Sequence, residues 1–199
     1  DFPLPTEVLL EPIGFVRSPY TERFGTPRQP TVAGEGVLHG TQLPGTLQLL
    51  DDDRFRTALE GVAGFDFVWV ISYLHLNRQS NEHRHWKPLV QPPRGATRAP
   101  KQGLFATRAP HRPNPLGLSA LRVTGVDPKQ LQIHVLGLDL LDGTPVLDVK
   151  PYIAAYDSFP EAKAGWLDSL EEETQAPDYL PYYPPPRHLR PGGKVREER

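Results

Sequence analysis

The sequence predicts a mainly β protein, a β-barrel carrying short helices and followed by an extended Pro-rich C-terminal tail. Two observations carry that expectation. Proline makes up 24 of 199 residues and clusters at 88–100, 110–115 and 181–191. Long helices are disfavoured there, because proline lacks a backbone N–H and its ring clashes with the preceding turn. Between Gly, Pro and Asp breakers stand short runs rich in Val, Ile, Leu and aromatics, the composition of strands. Residues 1–170 are read as the barrel domain and 171–199 as the tail.

In chain order, strands are predicted at 13–16, 36–39, 67–76, 118–126, 130–138 and 146–149. A helix is predicted at 53–60, stopped by Gly61, with Phe55, Ala58 and Leu59 on one face, and a second at 160–170. Asp127-Pro128-Lys129 and Asp142-Gly143-Thr144-Pro145 read as turns, since Gly accepts positive φ and Pro fixes its own. Those turns make 118–149 an expected antiparallel meander. After Ala176 the chain is first acidic and aromatic, then Pro-rich and basic, with polyproline expected around 184–186.

Composition narrows the chemistry. With no cysteine, disulfides, thiolate nucleophiles and cysteine-ligated zinc are excluded for this sequence. No apolar run approaches the roughly 20 residues that cross a bilayer, and the opening Asp1-Phe2-Pro3-Leu4-Pro5 lacks signal-peptide features, so a soluble, cytoplasmic protein without a membrane role is expected. Net charge is near neutral but uneven. Between Arg78 and Arg122 stand nine Lys or Arg against one acid, Glu82. That block reads either as a solvated loop or as a phosphate-neutralising surface.

No dinucleotide fingerprint is present: the nearest approach, at 34–40, has the wrong spacing in a strand-like context. Glu82, His83 and His85 alternate without a further ligand cluster and read as a polar loop, so no metal is expected. Two dense blocks remain. In the first, 103–119, Arg108 and Arg112 leave a Pro-stiffened loop, where they either engage a ligand anion or cap carbonyls. In the second, 137–152, Asp139, Asp142 and Asp148 lie among apolar residues and need partners, because a bare buried carboxylate costs several kcal/mol. Asp142 before Gly143 also suits an Asx turn. Asp148 and Lys150 alternate and so share a strand face, as an ion pair at a site edge or on the surface.

Together, Ile13-Gly-Phe-Val-Arg-Ser-Pro-Tyr20, Pro27-Arg-Gln-Pro30, Gly64-Phe65 with the strand into His75, Gly103-Leu-Phe-Ala-Thr-Arg108, Arg112-Pro-Asn-Pro-Leu-Gly-Leu-Ser119 and residues 138–152 resemble the TsaA-like or TrmO family. That family comprises tRNA adenine N6-methyltransferases built on a single-sheeted β-barrel. The resemblance implies a homodimer that binds S-adenosylmethionine and methylates N6 of threonylcarbamoyl-modified adenosine 37 of tRNA. By motif position it puts cofactor contacts at Gln29, Pro30, Thr31, His75, Leu76, Arg108, Leu118, Asp139, Leu140, Leu141 and Asp142. Leu104 replaces the commoner Val, and Leu76 stands where a polar residue is frequent, which leaves its backbone to serve.

The residue chemistry is compatible with that implication. Carboxylates favour the cofactor's cationic sulfonium and ammonium, and Leu118 can cover adenine. Asp148, with Lys150 beside it, is the candidate catalytic base for the N6 proton. Arg94, Arg98 and Arg112 are the candidate RNA contacts. Two rival readings are a non-catalytic barrel that binds an adenosine ligand or RNA, and a scaffold whose Pro-rich tail binds a partner.

Overall fold

The computed structural model describes residues 4–22, 26, 44–77, 86–91 and 100–166. Period-two burial drives its strands. In β3 (Phe67–Tyr73) every second residue, Val68, Val70 and Ser72, is buried. The same alternation runs through β2 (Pro44–Leu49) and β7 (Gln132–Leu136) and marks β1 (Gly14–Arg17). Strands β6 (Leu116–Asp127) and β8 (Pro145–Pro151) complete a closed six-stranded barrel in the order β1-β2-β7-β6-β3-β8, with every neighbouring pair antiparallel. A short outlying ladder pairs β4 (Leu89–Val90) with β5 (Gln102–Gly103). The predicted fold class therefore holds.

The barrel interior is filled by Val16, Leu47, Val68, Val70, Leu121, Ile133, Val135 and Val146. One end is closed by helix α1 (Asp53–Ala58), whose first turn is capped by the Asp52 carboxylate accepting from the Arg54 N–H at 2.8 Å; Leu59, just after it, is buried, with Phe55 and Val62 against the core. The Arg56 guanidinium bonds the Pro128 carbonyl and ties the helix to the β6–β7 turn. In that turn the Asp127 carboxylate accepts from the Lys129 and Gln130 N–H groups at 2.9 and 3.1 Å, as its sequence predicts.

The other end is a rim. Because neighbouring strands are antiparallel, β1, β3 and β7 end there, and β2, β6 and β8 begin there. The β1–β2, β3–β6 and β7–β8 connections therefore all emanate from one side. Residues 137–144 cross that rim. Gly137 and Gly143 take positive φ, 81° and 74°, and between them Leu138 and Leu140 turn into the core.

Several expectations are corrected. Residues 118–149 are not a meander: β6 and β7 form the expected hairpin, but β8 pairs with β3 and β1 rather than β7. The reason is the apolar pair Leu138 and Leu140, which seals the barrel end instead of extending a strand. The strand predicted to 76 ends at Tyr73, followed by a 3-10 turn at His75–Asn77. Strand β2 went unpredicted. Helix α2 (Ala154–Asp157) went unpredicted; of the helix predicted at 160–170, residues 160–165 are turn and coil, Trp166 is helical and 167–170 lie outside the described residues. The strand predicted at 36–39 and the tail at 171–199 lie outside the described residues. Among the described residues no helix is long and apolar enough to cross a membrane.

Candidate functional site

Asp139 is the most chemically distinctive side chain of the rim. It sits in the crossing segment between the buried Leu138 and Leu140, half-buried itself. The buried Ser119 of β6 donates its hydroxyl to the carboxylate at 2.7 Å. Burial pushes the Asp139 carboxyl up to about 6; the Ser119 hydrogen bond, its own backbone N–H and the charge of Arg108 pull the other way. Ser119 faces inward because Leu118 and Ala120 on either side face outward, so strand alternation places this partner.

Asp142 has a different task. Its carboxylate accepts the Ser18 N–H at 3.1 Å and stands 3.9 Å from the Arg17 guanidinium. The Ser18 hydroxyl donates to the Leu140 carbonyl at 2.8 Å, and the Asp142 and Gly143 N–H groups reach the Tyr20 and Val16 carbonyls at 2.8 and 2.9 Å. The carboxylate is thus spent on stitching residues 137–144 to the segment after β1 rather than on an Asx turn within its own loop. An open recess of about 550 Å³ borders it, lined by Arg17, Ser18, Thr46 and His134 among others.

The first dense block divides into separate roles. Leu104 is buried and anchors a 3-10 turn at Leu104–Ala106. Arg112 folds back on its own loop: one terminal nitrogen donates to the carbonyls of Thr107 at 2.9 Å and of Leu104 and Ala109 at 3.4 Å. Of the two readings open for these arginines, carbonyl capping describes Arg112. Arg108 is exposed, and its charge acts on Asp139. His75 and Leu76 follow β3 directly. The Leu74 N–H donates to the Pro115 carbonyl at 2.8 Å, which puts that turn against the start of β6.

The predicted residues do not all converge within the described part of one chain. Asp139, Leu140 and Leu141 occupy the crossing segment with Ser119 and the Arg108 charge beside them, while Asp142 borders the recess on the β1-β2-β7 side. Leu118 points outward from β6 and is 62% exposed. Asp148 and Lys150 are also on the outer wall, joined at 2.8 Å, and Asp148 shares a row with Ile71 and Leu118 across β8, β3 and β6. Gln29, Pro30, Thr31, Arg94 and Arg98, with Glu82, His83 and His85, lie outside the described residues. Sequence reasoning missed Ser119 as the partner of Asp139 and Ser18 as that of Asp142. The first was legible in the outward-inward alternation beside Leu118; the second joins residues 124 positions apart and left no local trace.

Known proteins resemble this chain closely. Residues 15–158 match the family described as tRNA-methyltransferase O N-terminal domain. The tRNA (adenine(37)-N6)-methyltransferase of Escherichia coli (strain K12) is 38% identical over 161 residues, 80% of this chain and 63% of that protein. The tRNA (adenine(37)-N6)-methyltransferase of Mus musculus is 38% identical over 153 residues, 76% of this chain and 32% of that one. The crystal structure of TrmO from Pseudomonas aeruginosa superposes with a TM-score of 0.59 at 35% identity, covering 80% of this chain and 62% of that one. The chain therefore spans less than two thirds of each of these relatives.

Proposed function

From the premise that the chain belongs to the tRNA-methyltransferase O family, we propose that it is an S-adenosylmethionine-dependent methyltransferase acting on N6 of adenosine 37 of tRNA. The observation that carries the reading is the half-buried Asp139 carboxyl, held by Ser119 beside the Arg108 charge at the rim where the long connections converge. A relative from Pseudomonas aeruginosa, 40% identical over 161 residues, is named a putative S-adenosylmethionine-dependent methyltransferase. The residues fit that cofactor by charge and shape. A buried acid favours a cationic sulfonium and ammonium, and the exposed Leu118 offers an apolar surface to a purine.

When bound, S-adenosylmethionine supplies an activated methyl group on sulfur. The protein's residues bind and align. Asp139, with Leu140 and Leu141 around it, holds the cationic end; Arg108 offers hydrogen bonds, and Asp142 keeps the crossing segment in register. His75 and Leu76 line the approach from β3, and Gln29, Pro30 and Thr31 contribute from the β1–β2 connection. Alignment of acceptor nitrogen, methyl carbon and sulfur outweighs acid-base help in such a transfer, and the transfer as proposed uses no metal.

The finer reading is that the acceptor adenosine carries a threonylcarbamoyl group. Its N6 then bears one proton that must leave, and Asp148, paired with Lys150, is the group assigned to take it; its sharing of a row with Ile71 and Leu118 supports an acceptor lying there. Arg94 and Arg98 hold RNA phosphates, and Arg112 serves the RNA through the loop it braces. A second copy of the chain completes the proposed homodimer. A tRNA substrate sets the protein's work in the cytoplasm.

Incubation with labelled S-adenosylmethionine and tRNA carrying or lacking the threonylcarbamoyl group tests the proposal. Methyl incorporation into the modified tRNA alone supports it in full. Incorporation into both overturns the finer part, and cofactor binding without incorporation leaves a binding module in its place.

A further inference from the structure

Phe105 is a large apolar ring that is 77% exposed, and the contacts around it hold it there. The preceding residue, Leu104, is buried. The Leu104 N–H donates to the Pro88 carbonyl at 2.8 Å, and the Thr107 hydroxyl donates back to the Leu104 carbonyl at 2.9 Å. Arg112 gathers the carbonyls of residues 104, 107 and 109, and the Trp166 indole N–H fastens the Ala106 carbonyl at 2.8 Å. A turn anchored at both flanks therefore presents its middle side chain to water. Trp86 lies beside it, 36% exposed, with ring centroids 6.3 Å apart and planes 30° from parallel, and the Arg112 guanidinium sits 5.7 Å from the Phe105 centroid.

We propose that Phe105 and Trp86 form a stacking platform for an unpaired nucleobase of the RNA substrate, a reading that rests on the proposed action on tRNA. The surroundings favour a nucleotide over an apolar protein surface. Residues 100–115 contain Lys101, Arg108 and Arg112 and no acid, and Lys87 adjoins Trp86. A base flanked by phosphates needs an aromatic face between cations, whereas an apolar partner gains nothing from the charges. Phe105 stands three residues before Arg108, whose charge acts on Asp139, so a base seated there shares its loop with the proposed transfer site and fixes the register of the RNA around the methylated base. A turn whose backbone is already held also loses little entropy on binding.

The test uses the full chain and an anticodon stem-loop RNA, with affinity read by fluorescence so that it does not depend on methyl transfer. Phe105→Ala is expected to weaken RNA binding by about fivefold to 150-fold, the range of one lost base–aromatic stack. Phe105→Tyr should restore it and Phe105→Leu should not. S-adenosylmethionine affinity and melting temperature should stay near wild type. RNA should quench tryptophan emission, and Trp86→Phe should remove that quench. Unchanged RNA affinity in Phe105→Ala, or rescue by leucine equal to that by tyrosine, would overturn the platform. So would a loss of RNA binding that merely follows dissociation of a dimer in sedimentation, which would assign the ring to contact between copies. Wild-type protein that binds the stem-loop through Phe105 yet transfers no methyl group would refute the proposed activity and leave the platform standing.

Discussion

A carboxyl group that loses water without gaining a full counter-charge holds its proton longer, and Asp139 does so up to about 6. Its folded value lies above the unfolded 3.8, so between these the folded state binds more protons and stability falls as pH rises. Urea midpoints should accordingly decline from about pH 4 to about pH 6 relative to Asp139→Asn, in which the group cannot ionise. A cationic ligand draws on the ionised form, so S-adenosylmethionine affinity should weaken as pH drops below about 6. Ser119→Ala removes a hydrogen bond that lowers the Asp139 value and should move that midpoint upward. The two loop arginines should also separate. Arg108→Ala should cost about 1.5 to 3 kcal/mol of cofactor affinity, whereas Arg112→Ala, whose hydrogen bonds brace its own loop, should lower the melting temperature with cofactor affinity little changed. Calorimetry and thermal melts read both. The sequence pointed to Asp139 and Arg108 through their motif and assigned Arg112 to the RNA, yet it could not show that Arg112 braces its own loop, because carbonyls 104, 107 and 109 converge on it only once the loop has folded.

Strands rich in Val and Ile were readable, and β2, whose only β-branched residue is Thr46, was not. The β6–β7 hairpin was announced by Asp127-Pro128-Lys129, whose carboxylate closes the turn. Strand β2 opens on Pro44-Gly45, a pair that reads as a turn, yet Gly45 is there because a Cβ would lie 2.5 Å from the Leu138 side chain. The partner of β8 could not be read either, because β3, which lies beside it in the barrel, comes more than seventy residues earlier in the chain. The tightest approach is between β1 and β2, where a Cβ on Gly14 would lie 2.8 Å from the Leu49 Cα and against the Gln48 carbonyl. Backbone cannot yield there as a flexible side chain can. Gly14→Ala should therefore cost about 1 to 3 kcal/mol or more of stability in a denaturant titration, as overpacking does, whereas Gly103→Ala, with open space around its Cβ, should cost far less.

At the scale of the molecule, the barrel separates support from chemistry. One end is sealed by α1 and Leu59, and the other carries Asp139, Arg108 and the turn at 104–106. Eight of the nine basic residues of that block, Arg78 to Arg112, fall by sequence in the β3–β6 connection, which leaves from that second end, while Arg122 stands in β6 toward the first; the proposed RNA surface is therefore the connection. The affinity for tRNA should fall with salt by a slope of about 0.9 per duplex phosphate neutralised, and replacing Arg94 and Arg98 together should flatten it. A slope unchanged in that variant would move the RNA to another surface. The closed order of the six strands has one more consequence. A sheet that returns to its first strand has no edge strand running its full length, so strand addition to the barrel is disfavoured. A partner that docks on the barrel wall is met chiefly through side chains. A surface mutation in the barrel wall can therefore tune association without opening a seam along which unrelated chains could zip into fibres.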